Sequence, residues 1–138
     1  MKKIMKSGLL FALIVSTVAL LLVSARAAAA TRIIQHRCVP HEAKPGEVVT
    51  ISGSLMSNGA GVGGKTIQLS YAPSGSAWGG PTGPWEDIGT DSTDATTGLY
   101  SFDWTVPGDL ELGYYVIRAE FEGDSGYDQS NATTGMHA

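Results

Sequence analysis

The sequence predicts an all-β protein, a sandwich of about seven short strands. Three observations carry that expectation. First, two runs between Gly98 and Gly123 alternate apolar and polar residues with period two. Tyr100, Phe102, Trp104 and Val106 share one face of the first run, and Tyr115, Ile117, Ala119 and Phe121 share one face of the second. Successive strand residues point to opposite faces, so these eight side chains form one apolar surface. Second, turn residues recur along the chain at roughly the 8–12-residue spacing of sandwiches and barrels. Third, no stretch after residue 30 shows helical periodicity.

The chain of 138 residues has to be divided before it is read further. Lys2, Lys3 and Lys6 precede an apolar run from Leu9 to Val23, and Ala27 to Ala30 follow. A positive start, an apolar middle and small residues at a cleavage site describe a signal-peptide helix over residues 1–30. The apolar run is shorter than the ~20 residues that span a bilayer, so membrane attachment is expected only through an uncleaved signal anchor. Residues 31–45 form an N-terminal segment with an edge strand, and residues 46–134 form the sandwich. Of nine Lys and Arg, four (Lys2, Lys3, Lys6, Arg26) lie in the signal, while all thirteen acids lie beyond it. The remainder therefore carries a formal charge of −8. Such a surface repels phosphate backbones, which argues against a nucleic-acid partner. A single cysteine, Cys38, excludes an internal disulfide and leaves a buried hydrophobe, a free thiol or a link to another chain.

The elements follow in order. Ile33, Ile34 and Val39 supply an edge strand that Pro40 and Pro45 limit, because proline cannot donate to a ladder. Glu47–Met56 forms the second strand, where Gly53 on the inner face suggests a bulge or a close approach of the facing sheet. Ser57–Gly64 is a glycine-rich loop, and Lys65–Ala72 the third strand. Pro73–Pro84 is a long Pro, Gly and Ser loop of the kind that often carries function. Trp85–Thr90 is a short strand; Trp85 and Ile88 share no face unless a bulge intervenes. Asp91–Gly98 turns the chain into the two strands described first. Tyr127–Thr134 is the last strand, and Gly135–Ala138 a frayed end.

Pro45-Gly46-Glu47-Val48-Val49-Thr50-Ile51-Ser52-Gly53-Ser54-Leu55 resembles the opening of bacterial and archaeal immunoglobulin-like repeat domains of cell-surface proteins. Gly63–Leu69, Trp85–Gly89, Thr93–Phe102, Gly113–Ala119 and Gly123–Tyr127 resemble later segments of the same pattern, in the same order. The resemblance implies an immunoglobulin-like Greek-key sandwich and a place at the cell surface; it implies no single activity. Glu111–Tyr115 also resembles a tyrosine corner, with Tyr115 as the bracing side chain. The antibody-type disulfide is absent, with Ile51 or Gly53 and Ile117 in the cysteine positions.

Several residues are candidates for chemistry. Trp78 lies inside the long loop and Trp85 just after it, where an exposed aromatic stacks on a sugar or anchors a partner; the alternative is that Trp85 caps the core edge and Trp78 folds back onto it. His36, Cys38 and His41 are spaced H-x-C-x-x-H, with ligands that suit Zn²⁺ or copper. Glu122, Asp124 and Asp128 cluster at strand ends and could supply oxygens to Ca²⁺ or form a solvated rim. Asn131-Ala132-Thr133 is an N-glycosylation sequon. No catalytic motif is present, so the chain is expected not to be an enzyme and to need no cofactor. The expectation is a non-catalytic exported or cell-surface module for binding, adhesion or surface assembly, with a protein or glycan partner. The alternative is a small exported ion or ligand binder.

Overall fold

The structure, a computed structural model, describes residues 27–138. The expected signal-peptide helix lies outside them except for its last four residues. Eight strands make up the described chain: β1 (Arg32–Val39), β2 (Val48–Ser57), β3 (Ala60–Gly61), β4 (Thr66–Ser74), β5 (Glu86–Ser92), β6 (Leu99–Thr105), β7 (Tyr114–Phe121) and β8 (Ser130–His137). They form two antiparallel sheets. In one, β2 pairs with β1 on one side and with β6 and the short β3 on the other. The second has the order β5-β4-β7-β8. No helix occurs among the described residues.

The apolar faces meet between the sheets, but β6 and β7 lie in different sheets, so their alternating side chains line two facing surfaces and not the one surface expected. Val49, Ile51 and Leu55 of β2 and Ile67 and Leu69 of β4 are fully buried, with Ile117 and Ala119 of β7 beside them. Tyr71, Trp104 and Tyr115 close one end of this core, with ring centroids 4.9 Å apart for Tyr71–Trp104. Tyr115 Oη donates to the Glu111 carbonyl four residues upstream at 2.7 Å, which ties the turn before β7 to the core.

β1 is held by a bulge and a histidine. Ile33 pairs with Leu55 and Cys38 with Ile51, so six residues of β1 face five of β2. The extra residue lies at Gln35, whose φ is 53°, and the register shifts between Ile34 and Arg37. Without that insertion Ile33 and Cys38 would point to opposite faces; with it both are buried. His36 enters the core just after the bulge. Its Nε2–H donates to the Ile117 carbonyl of the opposite sheet at 3.1 Å. Its Nδ1 therefore accepts from Tyr100 Oη, at 2.8 Å, since a carbonyl cannot donate. Gly53 makes this possible. It pairs directly with Tyr100, whose ring lies across it, and any side chain at 53 would collide with that ring. The close approach expected at Gly53 thus comes from the neighbouring strand, not from the facing sheet, and the bulge expected there lies in β1 opposite Gly53, while the β2–β6 ladder is regular.

Three boundaries differ from the sequence reading. The chain end is not frayed: Gly135–His137 belong to β8, and Met136 is 2% exposed. Proximity to the terminus suggested fraying, but pairing of Tyr114–Val116 with Gly135–His137 holds this stretch. The Ser57–Gly64 loop contains a tight hairpin, with positive φ at both Asn58 and Gly59, the dipeptide that such turns favour. The fold also begins before Thr31. Ala29 N–H donates to the Gly126 carbonyl, Asp128 N–H to the Ala29 carbonyl, and Ser57 Oγ to the Ala30 carbonyl.

Two outcomes follow. A chain starting at Thr31 lacks those three hydrogen bonds and is expected to be less stable than one starting at Ala28 by about 1–3 kcal/mol. Thermal unfolding should show a Tm lower by roughly 5–15 °C; equal Tm values would contradict this role for Ala29 and Ala30. The second concerns His36, whose pKa lies below the ordinary 6.5, chiefly because burial disfavours the imidazolium, although the Ile117 hydrogen bond acts the other way. The neutral ring is the folded form, so its contribution is complete above about pH 6.5. It declines as the pH falls below that value, where the unfolded chain takes up a proton that the folded chain resists. Denaturant midpoints measured from pH 8 to 5 should fall more steeply for the wild type than for His36→Gln.

Candidate functional site

The long loop after β4 folds back over the outer face of the second sheet. Its neck is closed by Thr82 N–H donating to the Pro73 carbonyl at 2.8 Å. Inside it, Ser74 Oγ bonds to the carbonyls of Ser76 and Gly79 at 2.7 and 3.1 Å. Ala77 rests on Gly135 of β8, where a side chain would collide with the Ala77 carbonyl. Ala72, Val116 and Gly135 form one row across the sheet, and Ala72 and Val116 are buried although they face outward. The loop is thus seated on the sheet, and its tip presents Trp78, which is 98% exposed.

Beside Trp78 the ends of β7 and β8 add a second aromatic surface. Tyr114, 40% exposed, stacks on His137 with ring centroids 4.6 Å apart and planes 24° from parallel. After Pro40 the chain leaves β1 and runs alongside β8: His137 N–H donates to the His41 carbonyl at 2.8 Å and Ala43 N–H to the His137 carbonyl at 3.0 Å. This crossing brings Arg37, the exposed Val39 and His41 next to Tyr114, His137 and Trp78. Together they line an open groove of about 630 Å³, within the size range of small-ligand sites.

The other sequence candidates fall elsewhere. Trp85 is partly buried on the outer face of the second sheet, with the Arg118 guanidinium 4.1 Å above its ring, so it is a cation–π partner and neither a core cap nor a free aromatic. His36, Cys38 and His41 do not converge. Both His36 nitrogens are engaged, Cys38 points into the core, and His41 is exposed beyond the end of β1. Burial raises the Cys38 thiol to about 11, which disfavours the thiolate a metal needs. The Asp124 carboxylate is already satisfied by Lys65 Nζ at 2.6 Å and by the amides of Gly126 and Tyr127, and these bonds, led by Lys65, lower its pKa. Glu122 and Asp128 are exposed. Among the described residues, no group of three or more His, Cys, Asp or Glu could hold a metal ion. Asn131 is exposed on β8, facing outward.

Tyr114, His137, Arg37 and Val39 escaped the sequence reading of this site. Tyr114 had a usable signal: it is out of phase with Tyr115, so one of two adjacent tyrosines had to face outward. The approach of Arg37 and His41 had none, because it depends on the chain crossing from one sheet to the other.

No family model matches the chain. No curated protein matches it either. Among solved structures it is similar to a cycloisomaltooligosaccharide glucanotransferase of Paenibacillus sp. complexed with cycloisomaltoheptaose, with a TM-score of 0.51 and 18% identity. That likeness covers 78% of this chain and 14% of the enzyme, so the chain spans only a small part of that protein. A β-glucosidase of Erythrobacter marinus is similar over 78% of this chain and 15% of its own, at 14% identity and a TM-score of 0.49. The CARDB domain of a Pyrococcus furiosus protein is similar over 82% of this chain and 93% of its own, at 14% identity and a TM-score of 0.42. The first likeness bears on the all-β fold and not on activity.

The state of Cys38 is directly testable. A thiol reagent such as DTNB should label the native protein about 100-fold or more slowly than the urea-unfolded chain. Comparable rates would mean that the N-terminal half of the core opens readily.

Proposed function

We propose that the chain is an exported, non-catalytic immunoglobulin-like module of the cell surface that holds a partner at the Trp78 groove. The observation that carries this reading is Trp78 itself. A tryptophan left almost wholly in water, on a loop fixed by its own hydrogen bonds and seated on the sheet, is pre-organised for contact. Its neighbours Tyr114 and His137 extend the aromatic surface. Tryptophan and tyrosine are the side chains that dominate binding hot spots.

The immunoglobulin-like assignment is supported by the strand order. A sheet of β1, β2 and β6 facing a sheet of β5, β4, β7 and β8, with a tyrosine bonding back across the turn before β7, is the arrangement such domains use. The motif order in the sequence supports the same reading. Export is supported by the N-terminal charge and hydropathy pattern. Among the described residues no helix is long and apolar enough to cross a membrane.

The test is binding of the labelled protein to cell envelopes of the source organism. Trp78→Ala is expected to weaken binding at least 10-fold with an unchanged Tm, and Tyr114→Ala to weaken it severalfold. Full binding by both variants would remove the groove from the account.

A further inference from the structure

We propose that the groove takes an acidic saccharide, a short run of sugar rings bearing carboxylates or sulfates. This inference rests on the reading of the groove as the binding face, and three observations lead to it.

The first is charge. The chain beyond residue 30 carries a formal charge of −8. The groove departs from that balance: Arg37 and Glu42 cancel, so its lining is formally neutral, and His41 and His137 add ring N–H donors. An anionic ligand is therefore repelled less at this groove than by the acidic surface at large.

The second is the state of the backbone. An exposed edge strand ordinarily recruits an extended peptide by adding it to the sheet. At this end of β8 that route is closed, because His137 N–H and C=O are both taken, by the His41 carbonyl and the Ala43 amide. A ligand here has to be recognised through side chains.

The third is what those side chains are. Trp78 offers an aromatic face to water, and Tyr114 stands beside it in a stacked pair with His137. The electron-rich face of an aromatic ring attracts C–H edges, which a sugar ring presents on its flat side. The guanidinium of Arg37 supplies paired donors for a carboxylate or sulfate. A polyglutamate peptide satisfies the charge but has no ring with a flat C–H face to lay against Trp78.

Calorimetric titration of the purified protein tests this with four probes: tetragalacturonate, a chondroitin sulfate tetrasaccharide, the methyl ester of tetragalacturonate and hexaglutamate. Saturable binding is expected for at least one acidic saccharide. It should weaken at least 10-fold in Trp78→Ala and in Arg37→Ala, each with an unchanged Tm, and also in 0.5 M salt. The methyl ester and hexaglutamate should bind at least 10-fold more weakly. The inference is overturned if neither acidic saccharide binds, if the methyl ester binds equally, or if hexaglutamate matches the saccharides. The envelope assay separates the two failures. Loss of envelope binding in Trp78→Ala without any saccharide binding would end the saccharide inference and leave the groove. Envelope binding that ignores Trp78 would end both.

Discussion

His36 is the contact on which the arrangement depends. It is a polar ring placed where two sheets meet, and it stays there because both nitrogens are satisfied: one by Tyr100 of its own sheet, the other by the Ile117 carbonyl of the opposite sheet. A buried polar group without partners would be costly, whereas one with both partners fixes a unique register. The bulge at Gln35 and the missing side chain at Gly53 are the conditions for it. One brings His36 inward, and the other clears the path for Tyr100. With β1 fixed in this way, the chain after Pro40 is delivered to β8, where His41 and Ala43 pair with His137. The groove is a consequence of that crossing.

The second sheet contributes the other wall through an unusual use of its outer face. Outward positions of an exposed sheet are ordinarily polar, yet Ala72 and Val116 are apolar and Gly135 has no side chain. The seated loop explains them, since small residues let Ala77 approach the strands closely. Burial of this row anchors the loop, and the anchored loop exposes Trp78. Farther along the same face Trp85 is occupied by Arg118, so two tryptophans that look equivalent in sequence end in different circumstances.

Much of the core was legible because alternation encodes it. Tyr100, Trp104, Val106, Tyr115, Ile117, Ala119 and Phe121 are buried as their phase requires, and the corner position of Tyr115 followed from its neighbours. What the sequence concealed is tertiary. The inward turn of His36 requires a bulge at Gln35, a residue with no turn signature. The spacing of His36, Cys38 and His41 looked like a ligand set, but the bulge and the crossing after Pro40 send the first two into the core and the third to the surface. The order at Gly135–His137 arises from partners far away in sequence, which local composition does not report. Of the groove, Trp78 could be read from exposure-prone loop composition, whereas its association with Tyr114, His137 and Arg37 could not.

The most direct measurement is the ¹⁵N spectrum of the His36 imidazole in the folded protein at pH 7. The account predicts a neutral ring with the proton on Nε2 and an unprotonated Nδ1 that is shifted by an accepted hydrogen bond. A ring protonated on Nδ1, or one with the averaged signals of a solvent-exposed histidine, would contradict the bridge between the sheets and the placement of β1 that follows from it.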